Sequence, residues 1–200
     1  MSWVLANLPT IAGHLLAHLL QAVPAIIASF VLAIPIARLA RVARPLRAVL
    51  VTGSSLLYAV PSLALFVILP IILATGIRDP LNVIVALTLY GLALLVPATA
   101  DALDAVDARV LDAATAMGMG RLRCFLTVEL PLAGPAILTG LRVVTVSTIS
   151  LTTVGAVLGV RSLGWLFTDG FQRGITAEIV TGLVATAALA LVLDGLVLAL

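Results

Sequence analysis

The chain has 200 residues, 62% hydrophobic, 10% charged and 4% aromatic, with a mean hydropathy of +1.28. Soluble domains carry roughly 25% charged residues, so this composition excludes a domain coated with water on all sides, and it excludes disorder, which needs low hydrophobicity and high charge. One cysteine, Cys124, excludes a disulfide scaffold, and the absence of lysine among the eleven basic residues excludes a standard P-loop ATPase.

What remains is a single all-α polytopic membrane domain over 1–200. The net charge of +2 and a pI near 9.3 come from arginines spread along an apolar chain, which read as topology signals rather than a nucleic-acid footprint. A spanning helix needs about 20 mostly apolar residues, and five blocks qualify.

The first block covers 11–37; it is too long for a secretory h-region and no A-x-A-like site follows it. Arg38, Arg41, Arg44 and Arg47 come next, with Pro45 among them. The second block, 48–75, contains Pro61, which either kinks one helix or divides two short ones. Gly76–Pro80 reads as a turn. The third block is 81–100, and the stretch 101–131 is the most polar in the chain. The fourth and fifth blocks are 132–158 and 175–200, joined by a glycine-containing loop, Gly159–Gly174.

If each block crosses once, Arg38, Arg41, Arg44, Arg47, Arg109, Arg121 and Arg123 share one side, and Arg78, Arg161 and Arg173 the other. The positive-inside rule then makes 101–131 cytoplasmic, the N-terminus external and the C-terminus cytoplasmic.

Within 101–131, Asp107 is a good N-cap. Val110, Leu111, Ala114 and Met117 fall on one helical stripe, and Gly118 is placed to stop the helix in a left-handed turn. A second short piece, Arg121–Val128, leads to Leu130 and Pro131, so the segment reads as a helix–turn–helix outside the bilayer. Asp101, Asp104 and Asp107 read as a solvated acidic approach to it.

Other polar residues are candidates by position. Arg142 lies inside the fourth block, where an ionisable group is expensive, and Asp194 lies at similar depth in the fifth; they suit a structural ion pair or a gating role. Thr145, Thr148 and Thr152 share one face and could join helices or line a polar passage. His14 and His18 are one turn apart without an evident third ligand, so no metal site is expected. Trp165 reads as an interface anchor, and Cys124 as a packed, reduced thiol. No HExxH or GxSxG pattern supports an intramembrane enzyme.

The spacing Asp112-Ala113-Ala114, three residues, Gly118, nine residues, Val128-Glu129-Leu130-Pro131 resembles the EAA loop of ABC-importer permeases, with Asp112 where that family most often has Glu. Ala33-Ile34-Pro35, Tyr58-Ala59-Val60-Pro61-Ser62-Leu63-Ala64-Leu65 and the Gly159–Gly164 stretch are similar to permeases for betaine, choline and related osmoprotectants. The resemblance implies a MetI-like fold of about five transmembrane helices with a cytoplasmic coupling helix, in a bacterial cytoplasmic membrane. Asp112, Ala113, Ala114, Met117, Gly118, Leu130 and Pro131 would then engage a separate ABC ATPase subunit, which binds the ATP and magnesium; this chain would hold no cofactor. It further implies a second permease copy or sister permease and an extracytoplasmic binding protein. The cargo would be glycine betaine, choline or carnitine, or, on the same machinery, an amino acid such as methionine. Few aromatics are available for a quaternary-ammonium cage, which places selection in the binding protein.

Overall fold

In the computed structural model, which describes residues 2–42 and 44–200, every regular element is helical. A short helix α1 (Ser2–Ala6) precedes the long α2 (Leu8–Val42). Then come α3 (Arg44–Leu57), α4 (Ser62–Leu73), α5 (Pro80–Asp104), α6 (Ala108–Ala116), α7 (Arg121–Cys124), α8 (Leu130–Thr152), α9 (Trp165–Arg173) and α10 (Thr176–Leu198). The side chains of Arg44 and Pro45, in the basic cluster, lie outside the described ones.

The centre of the bundle is α2 packed on α5. On α2, Ala22, Ala25, Ser29, Ala33, Ala37 and Ala40 recur every three or four residues and are all fully buried. Small side chains let a second backbone come close, the usual basis of helix association in lipid. The closest approach is at Gly91 of α5, where a β-carbon would stand 2.0 Å from the Ser29 hydroxyl oxygen. That hydroxyl donates to its own helix at Ala25 and across to the Thr88 carbonyl of α5.

Two poles follow from the contacts. At one, the C-terminal end of α2 meets the end of α5 and the foot of α8, around Ala37, Leu103, Phe125 and Ile137. At the other, α5 begins against Val160, beyond the top of α8, around Leu69, Val83 and Leu87. Both α2 and α5 therefore run from the second pole to the first, so the chain between them must return. It does so through α3 and α4, which are bent by 108° across residues 58–61. Arg47, in the first turns of α3, bonds Asp104 at the first pole, while Leu69 of α4 packs at the second. The block 48–75 is thus divided into two short helices at 58–61, and counting the bent pair as one span brings the candidate spans to five.

Three boundaries differ from the sequence reading. α2 continues past residue 37 through Arg38 and Arg41, because Pro24 and Pro35 are absorbed within a helix that small side chains hold against α5. The segment from Arg121 is not a separate piece ending at Pro131. It runs into α8 through a π-turn at Phe125–Glu129, in which Leu130 N–H reaches the Phe125 carbonyl. Proline lacks an N–H and its ring crowds the carbonyl four residues back; the wider π-turn takes up that misfit without breaking the helix. Finally, half of the expected loop Gly159–Gly174 is helix α9, packed on α10 and stopped by Gly174 at φ +67°. Gly170 lies mid-helix, where a β-carbon would stand 2.9 Å from Ile179 and 3.1 Å from Glu178 of α10.

Candidate coupling site and translocation path

The connection between α5 and α8 lies wholly at the first pole. Asp107 caps α6 by accepting from Arg109 N–H at 2.9 Å, and its carboxylate also accepts from the Arg109 guanidinium. Those bonds hold the Asp107 carboxyl below the usual aspartate range and raise Arg109 above its own. At the other end, Gly118 sits at φ +83°, its N–H bonds the Thr115 carbonyl at 2.9 Å, and the Met119 N–H bonds the Ala114 carbonyl at 3.2 Å. This pair of bonds is a Schellman stop. It explains the spacing Ala-three-Gly: the residue that must turn left-handed stands four positions after Ala114, whose carbonyl is closed by the N–H of the residue that follows the glycine.

Only Ala114 of the predicted stripe is buried; Leu111 is half-buried, and Val110 and Met117 are 41% and 72% exposed. Asp112, Ala113 and Gly118 are exposed as well. The helix thus seats Ala114, with Leu111 half-buried beside it, and offers Val110, Ala113, Met117 and the adjoining glycine outward. Leu130 packs partly buried on the core at the foot of α8, and Pro131 stands exposed in the first turn of that helix.

Behind α6 lies a recess of about 380 Å³ lined by Leu111, Thr115, Arg38, Arg41, Cys124 and Glu129, among others. Its walls are charged and ordered. Arg41 pairs with Glu129 and, at 3.3 Å, with Asp104; Arg47 also pairs with Asp104, and the Arg38 guanidinium lies 4.1 Å over the Phe125 ring. Asp104, though exposed, is therefore the hub between α2, α3 and α5. Sequence reasoning missed this cluster. Its available signal was three charges, Arg41, Asp104 and Glu129, each at the same end of an apolar block.

Arg142 and Asp194 meet, half-buried, between α8 and α10: Nε and one guanidinium nitrogen bond the two carboxylate oxygens at 2.8 and 2.7 Å, tying the two helices together. Thr145, Thr148 and Thr152 are buried inside the single chain. Thr145 and Thr152 donate to carbonyls of their own helix, at Leu141 and Thr148. In this single chain the three threonines are buried, and among the described residues no hydroxyl bond of theirs reaches another helix. Val143, Val146 and Ser150, on the other face of α8, are the exposed ones.

At the second pole, His14 stacks on Trp165 with ring centroids 4.7 Å apart, and Gln21 donates to the Arg161 carbonyl. Trp165 is therefore packed within the protein rather than standing free as an anchor. His14 and His18 are both buried, and no cluster of three metal-ligating side chains occurs among the described residues.

These features define a membrane-embedded helical bundle with a capped lever at one end. Residues 25–200 match the family described as the inner membrane component of binding-protein-dependent transport systems, and the chain belongs to that family of ABC-importer permease subunits. It is 29% identical over 178 residues to the glycine betaine/carnitine/choline permease protein OpuCD of Bacillus subtilis, covering 88% of this chain and 76% of that protein. It is 33% identical over 151 residues to the ergothioneine transport permease/binding protein EgtU of Helicobacter pylori, covering 76% of this chain but only 27% of that longer protein. In fold it is similar to a chain of the inward-facing MetNI methionine ABC transporter, with a TM-score of 0.82 and 21% identity over 100% of this chain and 97% of that one.

Proposed function

We propose that the chain is the membrane subunit through which a compatible solute of the glycine betaine, choline or carnitine class moves inward, driven by ATP hydrolysis on a separate subunit. The observation that carries this reading is α6. It is a doubly capped helix seated on the bundle by Ala114 and the half-buried Leu111, with an exposed apolar and small-residue surface aimed away from the membrane domain. Relatives named for glycine betaine, carnitine and choline transport supply the cargo class.

In this reading Asp112, Ala113, Ala114, Met117 and Gly118 form the surface that an ABC ATPase grips, and the ATP and magnesium stay on that partner. The first pole is cytoplasmic, since it gathers Arg38, Arg41, Arg47, Arg109, Arg121 and Arg123; the N-terminus is external and the C-terminus cytoplasmic. A second copy or a sister permease completes the passage, and an extracytoplasmic binding protein delivers the solute at the second pole. Force enters at α6 and passes to the foot of α8 through the Arg41–Glu129–Asp104 cluster, a rigid-body mechanism.

A second reading keeps the machinery and imports an amino acid; the similarity in fold to a methionine transporter favours it. Uptake separates the two. The permease is reconstituted in vesicles with its ATPase and binding protein, and radiolabelled glycine betaine, choline, carnitine and methionine are compared. Saturable, ATP-dependent uptake of a trimethylammonium solute supports the first reading, and uptake of methionine alone overturns it.

A further inference from the structure

The break between α3 and α4 carries an inference about where the solute passes. Residues 58–61 are neither helical nor buried: all four are exposed, Tyr58 by 47%. Among the described residues, the Tyr58 and Ala59 carbonyls accept no hydrogen bond, and Pro61 has no N–H to give. The break is also deep. The Tyr90 hydroxyl donates to the Val60 carbonyl, and Tyr90 stands ten residues into the 25-residue α5. At 1.5 Å per residue it is about 15 Å from one end of that helix and about 21 Å from the other, near the middle of a hydrocarbon layer about 30 Å thick. Open backbone at that depth survives only where it is covered by protein or lines water, because lipid offers no hydrogen bonds.

We infer that the break lines the aqueous passage, and that Tyr58 is the side chain in it that contacts the cationic head of a quaternary-ammonium solute. Such a head cannot donate a hydrogen bond, so aromatic faces and carbonyl oxygens are what hold it. Tyr58 offers a half-exposed ring beside two carbonyls without partners. Tyr90, 4% exposed, meets that ring edge-on at 5.9 Å and 88° while its hydroxyl pins Val60; it positions the break and does not touch the solute. This assignment rests on the compatible-solute reading and adds to it a specificity-determining residue within the membrane.

Two measurements on the reconstituted transporter test it. In a Cys124→Ser background, Ala59→Cys and Val60→Cys should react with a membrane-impermeant thiol reagent, while Leu191→Cys, exposed on α10 away from the break, should not. Absence of reaction at both break positions under turnover overturns the passage. A cation–π contact is worth about 0.5–2 kcal/mol, roughly a 2- to 30-fold change in uptake efficiency. Tyr58→Leu should lose that much for choline and nothing for its neutral carbon isostere, 3,3-dimethylbutanol, measured as competition; Tyr58→Phe should retain choline uptake. Equal losses for both compounds, or none, overturn the Tyr58 contact. If the wild-type transporter carries no trimethylammonium solute at all, it is the cargo reading that fails, while cysteine reactivity still reports on the passage.

Discussion

Gly118 gives the sharpest test of α6 as a lever. Its φ of +83° is a conformation that costs an L-residue about 1–2 kcal/mol, and a β-carbon there would meet nothing within 4 Å. The penalty of Gly118→Ala is therefore backbone strain alone. At 1–2 kcal/mol it lowers the ratio of correctly stopped to frayed helix ends by about 5- to 30-fold. Gly118→Asn should cost less, since Asn enters the left-handed region more readily. Gly118→Pro should cost most: its ring fixes φ near −65°, and it removes the N–H that closes on Thr115. The assay is substrate-stimulated ATPase activity of the assembled transporter in nanodiscs, with insertion and complex formation checked by size-exclusion chromatography. Stimulation should fall in the order Gly, Asn, Ala, Pro, with little left for Pro, while the permease remains inserted and assembled. Full stimulation in Gly118→Pro, or Ala equal to Gly, would refute the claim that this stop sets the geometry of the lever.

Ala114→Trp should abolish stimulation by lifting α6 off the bundle, since Ala114 is 2% exposed; retained stimulation in the inserted protein would count against the seat. Arg142→Ala and Asp194→Ala should each lower the detergent midpoint of unfolding, and the double variant should lose less than their sum; additive shifts would dissolve the pair as an energetic unit. Gly91→Ala should destabilise by about 1–3 kcal/mol through overpacking. Ser29→Ala should not rescue it, because the Ser29 β-carbon alone stands 2.6 Å from the new methyl, whereas Ser29→Gly should; thermal unfolding of the four proteins decides. Asp107 has a depressed folded pKa, so its stabilisation is present above the ordinary aspartate value and lost only as pH falls through the lower one. ATPase stimulation should consequently be flat around neutral pH on its account, with wild-type and Asp107→Asn profiles parallel there.

Much of the architecture was legible because lipid simplifies the code. Apolar length alone located the helices, and the caps of α6 could be read because Asp107 and Gly118 act on their own backbone within a few residues. The polar contacts between helices were less accessible. Arg142 with Asp194 was approachable by depth, but Arg41, Asp104 and Glu129 come together only once the crossing directions are known. The threonine face could not be assigned to passage or packing, because hydroxyls that satisfy their own helix suit either surroundings; burial decided for packing in this subunit. Pro131 stands in the first turn of α8, as its sequence position suggests, but nothing in the local composition marks the π-turn that joins α8 to Arg121–Cys124. Tyr58 was legible only as part of a family-like stretch inside the second block, because its exposure at a deep break depends on how α3 and α4 pack.

That unbroken run from Arg121 to Thr152 has a mechanical corollary. A rod without a joint cannot absorb a twist applied at its base. A push on its foot is delivered undiminished to the level of Arg142, where the guanidinium holds Asp194. The last crossing is thereby yoked to the fourth, and the two should swing as a single piston while α2 and α5, zipped along their alanines, stay still as the frame.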